Sequence, residues 1–170
     1  MFGEQLDFTA SGDLLVTMGY GSSKIMKVTT NGEVSEFATM PPGSQNPDLP
    51  PGLFGLAIDK AGLVYVGSIL SYNIERFSVC GVDPGVFAVD SFNETGGMAF
   101  DSAGNLYVAD WGSISKYDTS GNRSVFANSG SSALTLTIVP DPVPEASTWA
   151  AIGFLGGIGF LTYLRHRQRA

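Results

Sequence analysis

Three stretches of this chain repeat one pattern. Phe8 to Thr17 reads FTASGDLLVT, Ile58 to Gly67 reads IDKAGLVYVG and Phe100 to Ala109 reads FDSAGNLYVA, and the three align on Gly12, Gly62 and Gly104. In each, an apolar residue and a polar or acidic one lead through two variable positions to a glycine, after which apolar residues alternate. Glycine supplies the positive φ of a tight turn and period-two alternation marks strand, so each stretch predicts a β-hairpin. One such unit cannot bury its own apolar face, so the copies must stack on one another, which constrains the fold more than composition does.

Ten to thirteen residues after each glycine a second match follows: Ile25-Met26-Lys27-Val28, Ile74-Glu75-Arg76-Phe77 and Ile114-Ser115-Lys116-Tyr117. A turn comes next, then a closing strand that ends in Phe37-Ala38, Phe87-Ala88 or Phe126-Ala127. That gives four strands per unit, and the glycine spacings of 50 and 42 residues fall in the period of a β-propeller blade. The longer gap holds residues 40–52, MPPGSQNPDLPPG, with five of the nine prolines, which predicts an exposed connector.

The fold class expected is all-β: a partial, incomplete β-propeller of about three four-stranded blades over residues 1–139, with units at 6–39, 53–90 and 96–128. Leu134 to Val139 alternates and is expected to add one last strand. Propellers close with about four to eight blades. Either further blades are expected upstream, or two chains meet as a homodimer to complete a six-bladed ring. Met1 to Gln5 has neither the basic start nor the apolar run of an export signal, which favours continuation upstream.

In wording, GNLYVADWGSISKYDTSG at residues 104–121 resembles the NHL-type propeller repeat, and LAIDKAGLVYVG at 56–67 is similar. The wider class takes in gluconolactonase-like and streptogramin-lyase-like propellers. The first copy departs from the pattern, with Thr9 where the others have Asp59 and Asp101. The lactonase resemblance implies a divalent ion held by carboxylates and an amide at a central channel. Asp110, at the Ala-Asp position of the third copy with Asn93 and Glu94 ahead of it, is the weak metal candidate; Met18 or Gly19 and Ser68 stand near that position in the other copies. No cofactor is the first expectation, with calcium or another divalent metal as the alternative. Asp59 and Asp101 are expected to accept hydrogen bonds from their own turns.

No catalytic or cofactor-binding residue is assigned. The one histidine, His166, lies among the terminal arginines, so neither a Ser-His-Asp set nor the histidine-dependent chemistry of streptogramin lyases can be built here. Tyr20, Tyr72 and Trp111 recur at similar offsets, either as a rim that stacks sugars or as ordinary blade packing. All sixteen acidic residues lie at or before Glu145, against six basic ones there, which excludes nucleic acid as a partner. Cys80 is the only cysteine, so no internal disulfide forms, and it is expected to be a small buried residue rather than a reactive thiol.

After a stiff stalk and motif at residues 140–148, Trp149 to Leu164 runs sixteen residues without a charge, then Arg165, Arg167 and Arg169 close a basic tail at 165–170. As a helix the apolar run spans roughly 24 Å, a short transmembrane crossing with Trp149 and Tyr163 near the interfaces and the arginines held in the cytoplasm. Val143-Pro144-Glu145, then Ser147-Thr148, an aromatic, a Gly-rich apolar helix and a basic end resemble the PEP-CTERM sorting signal, with Ala146 where the family usually has a second proline. The resemblance implies a single-pass membrane protein with its ectodomain outside the cytoplasm. It also implies processing by an exosortase-type protease and release to the cell surface or matrix of an exopolysaccharide-producing bacterium. The function expected is a non-catalytic binding or matrix module with a polysaccharide or protein ligand; the alternative is a metal-dependent lactonase-class hydrolase.

Overall fold

A computed structural model describes residues 5–19, 21–41, 52–68, 73–82, 85–89, 96–110, 112–128, 130 and 136–138. The proline connector beyond Pro41, the aromatics Tyr20, Tyr72 and Trp111, Asn93 and Glu94, and the stalk, sorting motif, apolar helix and basic tail fall outside those residues. Among the described residues no helix is long and apolar enough to cross a membrane.

Among the described residues, twelve strands form three four-stranded antiparallel sheets, each ordered as its strands follow in the chain. The first holds β1 (Leu6–Phe8), β2 (Leu14–Thr17), β3 (Lys24–Val28) and β4 (Val34–Thr39). The second holds β5 (Leu53–Ile58), β6 (Val64–Ser68), β7 (Asn73–Phe77) and β8 (Gly85–Val89), and the third β9 (Met98–Phe100), β10 (Leu106–Asp110), β11 (Ser113–Tyr117) and β12 (Arg123–Asn128). Each sheet grows from one of the repeated segments, and β1 lies against β5 as β5 does against β9.

The six hairpins that join first to second and third to fourth strands use the same loop. In the β1–β2 turn the Gly12 N–H bonds the Thr9 carbonyl (2.9 Å) and the Thr9 N–H bonds the Asp13 carbonyl (2.8 Å). Five further turns, opening at Thr29, Asp59, Ser78, Asp101 and Asp118, repeat both bonds. This is a type I turn followed by one left-handed residue, the three-residue hairpin that leaves a glycine at its end.

The alternating residues pack in two layers. Leu15 and Ile25 of the first sheet meet Leu56, Val64, Val66 and Phe77 of the second; on its other face Tyr65, Ile74 and Ala88 meet Met98, Leu106, Val108 and Tyr117 of the third. The middle sheet is thus covered on both sides, which is why β6 is buried along its whole length. A bulge recurs where the third strand meets the fourth: the pairing skips Phe37, Phe87 and Phe126 in turn. The extra residue turns its ring out of the ladder. Phe37 and Phe87 pack into the first and second layers.

Three expectations are corrected. Met40, read as the start of an exposed connector, is buried, because its N–H bonds the Ser23 carbonyl and carries the side chain into the first layer. Cys80 is exposed, since it occupies the tip of the β7–β8 turn and not a strand position. Leu136–Ile138 forms no strand and instead lies against the innermost strands of the sheets.

Candidate functional site

The innermost strands β1, β5 and β9 each have one edge unpaired by a neighbouring strand, and edge amides need partners. Gln5, just ahead of β1, provides them. Its Oε1 accepts from the Leu56 N–H (3.0 Å) and the Met98 N–H (3.1 Å), while its Nε2 donates to the Met98 carbonyl (3.2 Å). Two residues on, Asp7 Oδ2 accepts from the Ile58 N–H (3.0 Å). One side chain of the first sheet therefore holds the inner strands of the other two. Beside it opens a cleft of about 320 Å³, lined by β1, β5, β9 and Leu136–Ile138. Its exposed lining is mainly polar, with Gln5, Asp7 and Thr137 among the lining residues, and its volume fits a small ligand or one sugar unit.

Asp110, the metal candidate, ends β10 and is 6% exposed. Its Oδ2 accepts from Ser115 Oγ and faces Arg123 Nη2 at 3.5 Å, while Arg123 Nε donates to Ser115 Oγ (2.9 Å). It stands in line with Leu106 and Val108, on the face turned to the second sheet. The corresponding rungs of that sheet carry Ser68 and Glu75, both buried. Acid and hydroxyl exchange places between the two sheets, and in the first sheet both positions are methionine, Met18 and Met26.

The turn carboxylates serve the backbone. Asp59 Oδ1 accepts from the Ala61 and Leu63 N–H groups (2.8 and 2.9 Å), and Asp101 Oδ1 from those of Ala103 and Asn105 (2.9 and 2.8 Å). Asp118 repeats the arrangement in the β11–β12 turn, with the Ser120 and Asn122 N–H groups at 2.9 Å each. Burial alone would raise the Asp101 carboxyl, but bonds from Asn105 and Ala103 prevail and leave it below the usual range. The Asn122 side-chain amide, then the turn's own N–H groups, hold Asp118 low. Glu75 goes the other way: burial pushes it up, only partly offset by the Asn73 amide at 3.4 Å.

No protein-family model matches the sequence, and neither does any curated protein. Solved structures do match. They include regucalcin, a calcium-binding protein from Agrobacterium tumefaciens (TM-score 0.64, 14% identity, 89% of this chain and 58% of that one). A gluconolactonase from Xanthomonas campestris matches with TM-score 0.64 and 15% identity over 78% of this chain and 48% of that one. Virginiamycin B lyase from Staphylococcus aureus does so with TM-score 0.58 and 19% identity over 72% and 40%. The fold is that of a β-propeller. The three sheets correspond to blades, β1, β5 and β9 are their innermost strands, and the chain spans about half the length of the propellers it matches.

At these identities the likeness carries the fold alone, so the metal of the lactonase alternative has to be tested on the residues. A calcium site needs about six to eight oxygen ligands converging on one point. Among the described residues no three His, Cys, Asp or Glu side chains are grouped to hold an ion. Asp7 is bonded to the backbone of β5, and Asp110 to Ser115 and Arg123, where an ion would meet a guanidinium. The described residues do not fit a divalent metal.

Sequence reasoning missed Gln5, Asp7, Ser115 and Arg123. Two signals were present: Ser115 is a small hydroxyl at a rung whose alternation called for a core residue, and Gln5 and Asp7 depart from the Gly and Ala that the other two copies carry at their rungs.

Proposed function

We propose that the chain is a non-catalytic propeller module, displayed outside the cytoplasm, that binds a small polar ligand or a sugar of a surface polysaccharide at its channel mouth. One observation carries this reading: the carboxylates nearest the inner strands and the blade ends, Asp7 and Asp110, are already bonded to protein groups, while the cleft beside Gln5 exposes mainly polar surface. The PEP-CTERM-like tail, with Val143, Pro144, Glu145, Ser147 and Thr148 as the motif and Trp149 to Leu164 as the anchor, supports sorting by a membrane protease. Likeness to a gluconolactonase supports the second reading, a lactonase-class hydrolase.

Two measurements decide. The full chain in detergent is titrated with calcium, manganese and zinc and assayed for lactone hydrolysis in each; saturable turnover lost in Asp110→Asn would establish the hydrolase instead. Mass spectrometry of the surface fraction is expected to find a C-terminus near Glu145, and a mature protein still ending beyond Arg169 would refute sorting.

A further inference from the structure

Two of the three glycines that end the outer turns are pinned from the neighbouring blade. A Cβ on Gly81 would run into the Phe37 carbonyl oxygen, and one on Gly121 into that of Phe87. Each outer turn thus slots beneath the bulged phenylalanine of the blade before it. Gly32, the same turn in the first blade, has the same left-handed backbone (φ 84°) and nothing within 4 Å of where a Cβ would stand. At the opposite end Phe126, the third bulged phenylalanine, is 61% exposed and meets its own blade's Tyr107 edge-to-face, ring centroids 5.0 Å apart.

The faces agree with the turns. Across the first blade run the rows Leu6–Val16–Met26–Glu36 and Phe8–Leu14–Val28–Val34. The corresponding rows of the second blade, through Leu56–Val66 and Val64–Phe77, are buried in the first layer. In the first blade Phe8 and Val34 are each 64% exposed. One end of the row of blades carries the empty half of a blade junction, and the other end carries the missing half.

We propose that a second copy of this chain fills both, the third blade of each copy docking on the first blade of the other to close a six-bladed ring about a two-fold axis. Head-to-tail contacts close only when the rotation allows it, and two rows of three give a number within the four to eight blades that close. In that ring the channel mouth is bordered by six inner strands, three from each copy. This rests on the blade geometry and not on the ligand proposed above, so either can fail alone.

The test is the mass of the full chain in detergent by sedimentation velocity, read across a dilution series. Two chains per particle are expected, and Gly153→Leu/Gly157→Leu, which fills the small-residue spacing of Gly153 and Gly157 in the apolar run that could let two helices approach, is expected to leave them. Asparagine accepts left-handed backbone, so Gly32→Asn meets nothing within one chain but would strike the Phe126 carbonyl of the second copy. It is expected to weaken the dimer by about tenfold or more while leaving the melting of the isolated chain unchanged, as is Phe126→Ser from the other side. A monomer at roughly 50 μM, or a dimer indifferent to both substitutions, overturns the proposal. So does a native particle in which further blades of a longer chain occupy the two faces.

Discussion

Replacing Gln5 by alanine tests whether one side chain joins the three inner strands. The change removes an acceptor shared by the Leu56 and Met98 N–H groups and a donor to the Met98 carbonyl, with heavy-atom distances of 3.0, 3.1 and 3.2 Å. Each such bond is worth about 0.5–1.5 kcal/mol net, and a buried donor left without a partner costs about 1–3 kcal/mol. The three bonds are part-buried and border an open cleft, so water takes over some of them and the lower part of that range applies. The expected loss is about 2 kcal/mol, a drop in Tm of roughly 4–10 °C for a domain of this size. Melting of the full chain in detergent, followed by circular dichroism, reads it. Gln5→Glu keeps the shared acceptor but turns an anion toward the Met98 carbonyl, so its Tm is expected to lie between the two. If Gln5→Ala stays within about 0.5 kcal/mol of the parent, as an ordinary surface substitution would, the inner strands are held together by packing alone.

Gly121→Ala should cost about 2–4 kcal/mol in urea denaturation, because strain at positive φ adds to a collision with the Phe87 carbonyl. Gly21→Ala, equally left-handed but in open space, should cost only about 1–2 kcal/mol; equal costs would show that the blades are not packed turn under bulge. Glu75 has a raised folded-state pKa, so its contribution is present at acid pH and lost as pH rises through the folded value. Glu75→Gln is therefore expected to melt above the parent at pH 7.5, with the gap closing toward pH 4; a gap that widens on acidification refutes the sign. Asp101 and Asp118, held low, contribute stability above their unfolded pKa that is lost as pH falls through the folded values. The double variant Asp101→Asn/Asp118→Asn keeps the turn acceptors and should flatten that acid limb in melts extended below about pH 4.

The blade itself was legible because its hairpins are local. Gly12, Gly62 and Gly104 with their flanking alternation mark the inner turns, and Asp59 and Asp101 do what the turn pattern demands. The outer turns carry the same words, Asp118-Thr119-Ser120-Gly121-Asn122 beside Asp101-Ser102-Ala103-Gly104-Asn105, and could have been read by the same rule. The Phe-Ala pairs were visible as a repeat, but the bulge that makes their phenylalanines point between blades was not. A bulge is a property of two strands, and alternation within one strand does not announce it.

What stayed hidden is the chemistry created by convergence. At the rung of Gln5 the other blades have Gly55 and Gly97, and at that of Asp7 they have Ala57 and Ala99. Small residues suit inner strands that crowd a common axis: a Cβ on Gly55 would collide with Met98. In the first blade those rungs carry polar side chains instead, which reach the inner edges of the next two blades. The first copy diverges from the repeat at the positions where it stops being one blade among three and begins to tie the others together. Divergence of a repeat is thus as informative as its match. The residues that break the pattern at Gln5, Asp7 and Asp110 mark the channel and the gap between blades, the two places where neighbouring copies impose different surroundings on one strand.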